Sequence, residues 1–229
     1  ETTSIEPINA KLVGMSFSVK EDEAFYVPVP EDKQEAQKIV DRFKEVLENE
    51  KSQKIGQNIK YDYIVMKNYG VNLKGEFFDT MVAHYLLQPD GHHNMDYLAE
   101  IYLGHKTISI ETLIGAKGKN QRSMRDVPLQ DICEYAAEDA DITLRLKNVF
   151  EVKLREERLE KLFYEIEMPL VKVLAEMEAE GVRVDTNTLA ESSKILTHKA
   201  CEIENKIFEY AGESFNVNSP RQVGEILFI

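Results

Sequence analysis

Between residues 12 and 19, Val13, Met15, Phe17 and Val19 alternate with smaller or more polar neighbours, which is the period of a half-buried strand. The run Ala24-Phe-Tyr-Val-Pro-Val29 is rich in β-formers and stops at Pro30, so the two segments predict a hairpin through the polar turn Lys20-Glu-Asp-Glu23. Asp32, with Glu35 three residues on, makes a capping-box start. Ile39, Val40, Phe43, Val46 and Leu47 then recur at helical spacing toward Asn49. Lys54-Ile-Gly-Gln-Asn58 reads as a short strand and turn, followed by a helix through Ile64, Val65 and Tyr69 that Gly70 closes. Phe77-Phe78 is strand-like, 80–87 is helical with Pro89 just beyond, and 95–103 is a helix capped by Asn94 and ended by Gly104. A long helical region opens at Pro128. Past residue 159 strands all but vanish: Ile166, Leu170, Val173, Leu174 and Met177 mark a helix stopped by Gly181. Leu189, Ile195, Leu196, Ile203 and Ile207 mark a second helix over 188–210.

The order β, β, helix, β, helix, β, then helices alone predicts an α/β domain, a mixed sheet with helices on its faces. The switch to all-helical sequence near 159 sets the expected boundary, giving domains 1–158 and 159–229. With 229 residues and 43% hydrophobic content, the chain can bury a sizeable core. No apolar run reaches the ~18 residues of a membrane span, and the first residues lack a signal-peptide pattern, so a cytoplasmic location with no membrane partner is expected. Cys133 and Cys201 show no Cys-x-x-Cys spacing and read as packed thiols. The last residues, Phe228 and Ile229, fall inside a helical pattern and suggest a cut chain.

Charge narrows the function classes. With 28 Lys and Arg against 41 Asp and Glu, the net charge is 28 − 41 = −13, which repels a phosphate backbone and argues against a duplex-wrapping protein. It still permits a nuclease that holds a few nucleotides of single strand, where divalent cations supply local positive charge at converging carboxylates.

Two segments carry candidate chemistry. Asn58-Ile-Lys-Tyr-Asp62 places a carboxylate in a first helical turn directly after a strand, an edge where α/β sites form. An Asp there also suits the helix dipole with no further role. Tyr135 and Asp139 stand i and i+4 on one helical face, with small alanines between them. A carboxylate there can hold a divalent cation while the phenol positions an attacking water. The competing reading is an exposed acidic face, Glu134, Glu138, Asp139 and Asp141, with Tyr135 as a core anchor. The run 115–122 has no apolar residue larger than alanine and reads as a basic loop, either solvated or in contact with a single strand. His92 and His93 read as an exposed pair in a turn, or as contacts to that strand.

With Glu1-Thr2, these segments resemble the three exonuclease motifs of the family A DNA polymerases, and the likeness covers nearly the whole chain. Leu12-Val-Gly-Met-Ser-Phe17, Gly56-Gln-Asn-Ile-Lys-Tyr-Asp62, Phe78-Asp-Thr-Met81, His105-Lys-Thr-Ile108, Lys117-Gly-Lys-Asn-Gln121 and Tyr135-Ala-Ala-Glu-Asp-Ala-Asp141 match the proofreading domain in order. Ile166-Glu-Met-Pro-Leu-Val171, Glu180-Gly-Val-Arg-Val-Asp185 and Phe215-Asn-Val-Asn-Ser219 resemble the start of the polymerase domain and its thumb.

The resemblance implies an RNase H-like (DnaQ-like) fold, lacking most of its first strand, and two-metal removal of 3′-terminal nucleotides of DNA with Mg²⁺ or Mn²⁺. It assigns Glu1, Asp62 and Asp139 as metal ligands and Tyr135 as the residue that orients water. Thr2, Ile5, Gln57, Asn58, Tyr61, Lys117 and Lys119 are assigned to the bound strand, with Ile5 wedged against the terminal base. A fourth carboxylate, the Asp of the Asp-x-Glu motif, would stand two residues before Glu1, so the isolated chain is expected to bind metal poorly and cut weakly. The expected partners are a single-stranded 3′ end and the rest of a polymerase chain, in a monomer. A ribonuclease D-like exoribonuclease shares the three motifs but not the polymerase-like tail. A vestigial scaffold is opposed by the presence of Asp62, Tyr135 and Asp139.

Overall fold

The computed structural model describes residues 1–118 and 120–228. Strands β1 (Gly14–Lys20) and β2 (Glu23–Pro28) form the expected antiparallel hairpin, with Gly14 opposite Pro28 and Ser18 opposite Ala24. The alternation fails at its last member. The register slips between Ser18 and Lys20, which makes Val19 an extra residue of a bulge and leaves it 84% exposed. Gly14 is needed at the other end, since a Cβ there would stand 2.1 Å from the Tyr26 hydroxyl oxygen.

Strands β3 (Lys54–Gly56) and β4 (Phe77–Asp79) pair in parallel, and the intervening helix α2 (Ile59–Lys67) makes the crossover. The expected single mixed sheet is therefore present as one antiparallel and one parallel pair, with a separate antiparallel bridge joining Thr2 to Leu12. At three residues each, β3 and β4 leave few ladder positions by which their pair could be extended. Helix α1 (Lys33–Leu47) starts on the Asp32 side chain, which accepts from the Gln34 and Glu35 amides. Glu35 pairs with Lys38 at 2.6 Å, so only the Asp32 arm of the capping box forms. Helix α3 (Thr80–Leu87) follows β4 directly. Helix α4 (Met95–Leu98) runs into a π-helical turn, Ala99–Leu103, before Gly104 ends it at φ 62°. A short helix α5 (Ile110–Ile114) had no signal in the periodicity, being barely more than one turn.

Helix α6 (Leu129–Glu156) is the backbone of the structure, packing against β1, β2, β3 and α3. It buries Ile142, Leu146, Phe150 and Leu154 in a core shared with Phe78, Leu98 and Phe163. The Phe78 and Phe163 rings lie 4.8 Å apart. Rings of this size each remove enough apolar surface from water to contribute ~1.5–3 kcal/mol. A smaller cluster, Val13, Leu113, Met124, Val127 and Ile132, supports Tyr135 from below.

After α7 (Glu160–Leu162), helix α8 (Met168–Glu180) places Met168, Val171 and Ala175 in the same core. The chain divides into two compact units, Glu1–Glu180 and Gly181–Ile229. The composition changes near 159, but 159–180 packs with the first unit because α8 lies along α2. The second unit consists of α9 (Thr186–Ala211) and α10 (Pro220–Phe228). The two cysteines are not packed as expected; both are exposed. Among the described residues, no helix is long and apolar enough to cross a membrane.

Candidate active site

The first residues are held onto α2 by backbone and phenol contacts. Glu1 O accepts from the Val13 amide at 2.8 Å, and Thr3 N donates to Lys11 O at 3.0 Å. The Tyr61 hydroxyl bonds to Ser4 O and Thr2 Oγ1, Asn68 donates to Pro7 O at 2.9 Å, and Leu12 N donates to the Tyr69 hydroxyl at 3.0 Å. This brings Glu1 to the neighbourhood of α2 and α6. Between those fixed points Ile5 projects, 87% exposed.

Helix α6 carries the acidic face that sequence reasoning could not resolve, and the structure sorts its members. Asp141 accepts from the Asp22 amide at 2.7 Å and lies 3.6 Å from Arg145, pinning the hairpin turn. Glu138 accepts from the Ile108 amide and pairs with His105, each at 2.7 Å, fixing the loop before α5. Glu134 is exposed. Asp139 is different: its Oδ1 is buried with no hydrogen-bond partner.

Charge shows which groups converge. Burial first, then the Glu1 carboxylate, pushes Asp139 up to about 8, and the nearby Tyr135 hydroxyl offsets part of this. Burial, then Asp139 and Glu1, raise Tyr135 far enough that its phenol stays protonated. The density of protein atoms around Asp62 pushes it up to about 7; Asp79 and Glu1 add to the shift and the Glu1 ammonium opposes it. Water reaches the edge of Asp62, which is an exposed residue, and screens part of that effect. Tyr61 is raised mainly by burial, with Asp62 and Glu1 contributing. Glu1 thus acts on Asp62 and Tyr61 of α2 and on Tyr135 and Asp139 of α6, linking three separate stretches of chain. Among the described residues, no three His, Cys, Asp or Glu side chains already close around one point.

The remaining predicted residues divide. Asn58 holds φ 63° and ψ 53° just ahead of α2, and its side chain makes no capping bond. Gln57 is engaged internally: its amide nitrogen donates to His93 O at 2.7 Å, and its oxygen accepts from Thr80. Lys117 is exposed on the basic loop, and Lys119 lies outside the described residues. The histidine pair is only half exposed. His92 is at the surface, but His93 is partly covered, with its Nδ1 2.7 Å from Nδ1 of buried His84.

Sequence reasoning missed Asp79 and Arg125. Asp79 is 2% exposed, and its position before Thr80 marks a helix cap but not its contacts with α2. Arg125, in a single 3₁₀ turn (Met124–Asp126), donates to Val29 O at 2.6 Å and to Leu12 O, joining that turn to the residues that flank the two hairpin strands. Nothing in the local pattern distinguishes it from other loop cations.

Residues 1–155 match the model of the 3′-5′ exonuclease of the DNA polymerase A type. The chain belongs to this exonuclease family. DNA polymerase I of Borreliella burgdorferi is 42% identical over 231 residues, and that of Pseudomonas aeruginosa 41% over 238. Each match takes in 100% of this chain but only 25% and 26% of those proteins, so the chain spans about a quarter of their length. The polymerase domain of Pol1 from M. smegmatis, solved with a DNA primer-template and dNTP, superposes with a TM-score of 0.75 at 20% identity. It covers 96% of this chain and 34% of that one. That likeness speaks to fold. The exonuclease match contains Glu1, Tyr61, Asp62, Tyr135 and Asp139.

Proposed function

We propose that this chain is the proofreading 3′-5′ exonuclease region of a DNA polymerase I, with an RNase H-like fold over 1–158 and the start of the polymerase domain over 159–229. Its substrate would be a single-stranded 3′ end of DNA, delivered in a cytoplasmic, monomeric enzyme by the rest of the polymerase chain. The observation that carries this reading is Asp139 Oδ1. Glu138 and Asp141 beside it hold loops, but this oxygen is buried without a partner next to the Glu1 charge.

A buried, unpaired carboxylate oxygen with further carboxylates nearby suits a hard cation, which takes oxygen ligands. Glu1, Asp62 and Asp139 would hold Mg²⁺ or Mn²⁺, two ions in the complete site. Bound there, the ions would lower the pKa of the attacking water and neutralise charge on the attacking and leaving oxygens. The protein's own groups do the rest. Tyr135, kept protonated, holds the water in line with the terminal phosphorus. Water attacks and loses a proton to solvent, the bond from phosphorus to the 3′-oxygen breaks, that oxygen takes up a proton from solvent, and a nucleoside monophosphate leaves. Asn58, Tyr61 and Thr2 would orient the terminal nucleotide, and exposed Ile5 would press against its base.

The test is degradation of an oligonucleotide with a mismatched 3′ end, using the longest available parent chain. Asp139→Ala should slow it at least ~100-fold, and Tyr135→Phe by ~10-fold, in line with losses seen around metal sites. EDTA should abolish it. Equal rates for Asp139→Ala and the parent would overturn the assignment.

A further inference from the structure

We propose that Asp79 is a positioning residue of the exonuclease site: it clamps the start of α2 so that Asn58, Tyr61 and Asp62 face the substrate. The proposal rests on the exonuclease reading above.

An Asp at a helix N-cap ordinarily gives an oxygen to its own first turn. Asp79 does this for α3, where Oδ1 accepts from Met81 N at 2.9 Å and Val82 N at 3.2 Å. It also reaches a second helix. Oδ1 accepts from Asn58 N at 3.2 Å, and Oδ2 accepts from Ile59 N at 2.8 Å. One buried carboxylate therefore serves the N-termini of α2 and α3 together. Capping α3 needs only one of its oxygens; Oδ2 has Ile59 as its protein partner.

Helix α2 depends on this arrangement because it has no side-chain cap of its own. Its leading residue, Asn58, sits in the left-handed region, which disfavours residues with a Cβ even though Asn tolerates it better than most. Such a conformation persists when surrounding groups over-determine it. The next residue, Thr80, adds a second hold: its hydroxyl bonds to Gly56 O at 3.2 Å and to the Gln57 side chain. The junction of β4 and α3 thus grips residues 56–59 from one side. Asp62 lies in the first turn of α2, so any drift of that turn moves a proposed metal ligand.

The experiment compares the longer parent protein that carries this region with its Asp79→Asn and Asp79→Ser variants by amide hydrogen exchange, Mn²⁺ titration, and exonuclease kcat and KM on a single-stranded oligonucleotide. Asn replaces one carboxylate oxygen with an NH₂ group that cannot accept. Ser keeps a short capping oxygen for α3 but does not reach α2, so it answers the same question should Asp79→Asn unfold. Exchange at Asn58 and Ile59 should quicken at least ~10-fold, with Met81 and Val82 little changed. Mn²⁺ affinity and kcat should each fall ~10- to 100-fold, with KM moving less than about threefold. Faster exchange with Mn²⁺ affinity and kcat intact would make Asp79 a helix cap only and overturn the proposal. Unchanged exchange would overturn it as well. If the parent itself neither binds Mn²⁺ nor cuts, the exonuclease reading fails, and the exchange measurement still decides whether the clamp exists.

Discussion

Asp62 and Asp139 both ionise above the ordinary carboxylate range, at about 7 and about 8, chiefly through burial and with Glu1 adding to both. In the unfolded chain each returns to about 3.9. A group whose folded pKa is raised contributes stability that is fully present below the unfolded value and is lost as pH rises through the folded value. In the absence of divalent cations the fold should therefore weaken as pH rises from about 4 to about 8, because the unfolded chain gives up these protons near pH 3.9 while the folded chain holds them to about 7 and about 8, and should change little above that. Thermal melts in EDTA should show Tm falling over that range, and Asp139→Asn should flatten the upper part of the slope. Mg²⁺ added at the alkaline end should raise Tm in the parent and much less in the variant, because the cation takes over the proton's role. A metal-free Tm that rises over the same range would refute this account. Glu176 and Asp185, whose pKa values are lowered by hydrogen bonds, act in the opposite sense but only at acid pH.

At the scale of elements, local punctuation was readable wherever one residue decides a boundary. Asp32 starts α1, Gly104 stops the helix after α4, and the i, i+4 spacing of Tyr135 and Asp139 puts both on one face of α6. What could not be read depends on partners far along the chain. Val19 keeps the strand period yet leaves the sheet because Lys20 pairs one position early. Asp139 resembles Glu138 and Asp141 until their loop partners are known. Helix α8 shows which of its contacts matters. Glu176 bonds to buried Tyr63 and pairs with Lys67, and Glu178 pairs with Lys60, but the four charged side chains are substantially exposed, and such ion pairs contribute ~0–1 kcal/mol. Phe163, just before the helix, is fully buried against Phe78. Urea unfolding should show Glu176→Ala costing no more than ~1 kcal/mol and Phe163→Ala ~3–5 kcal/mol. The reverse order would mean that ion pairs, not burial, fasten α8 to the exonuclease core.

On the whole-molecule scale the two units are built differently. The first unit contains every buried hydrophobic residue among those described, from Ala10 to Ala175. In the second, neither α9 nor α10 has a buried residue. Leu189, Ile195, Leu196 and Ile203 recur at helical spacing along α9 and are each more than half exposed, so the stripe that predicts a packed helix finds no core within its own unit. Helical stability in proteins comes mostly from tertiary packing of the apolar face, and α9, with no buried residue, has none of that support within its own unit. Gly181, at φ 75°, stands at the division and marks where contacts thin out. Unfolding should accordingly not be a single all-or-none event. Brief proteolysis of the chain should cut first within 181–229 and leave a resistant fragment ending close to Glu180. That fragment should melt within a few degrees of the intact chain, because its core is unchanged. A cut near 159 instead, with loss of the fragment's thermal transition, would show that α8 is not part of the folding unit that carries Asp62 and Asp139.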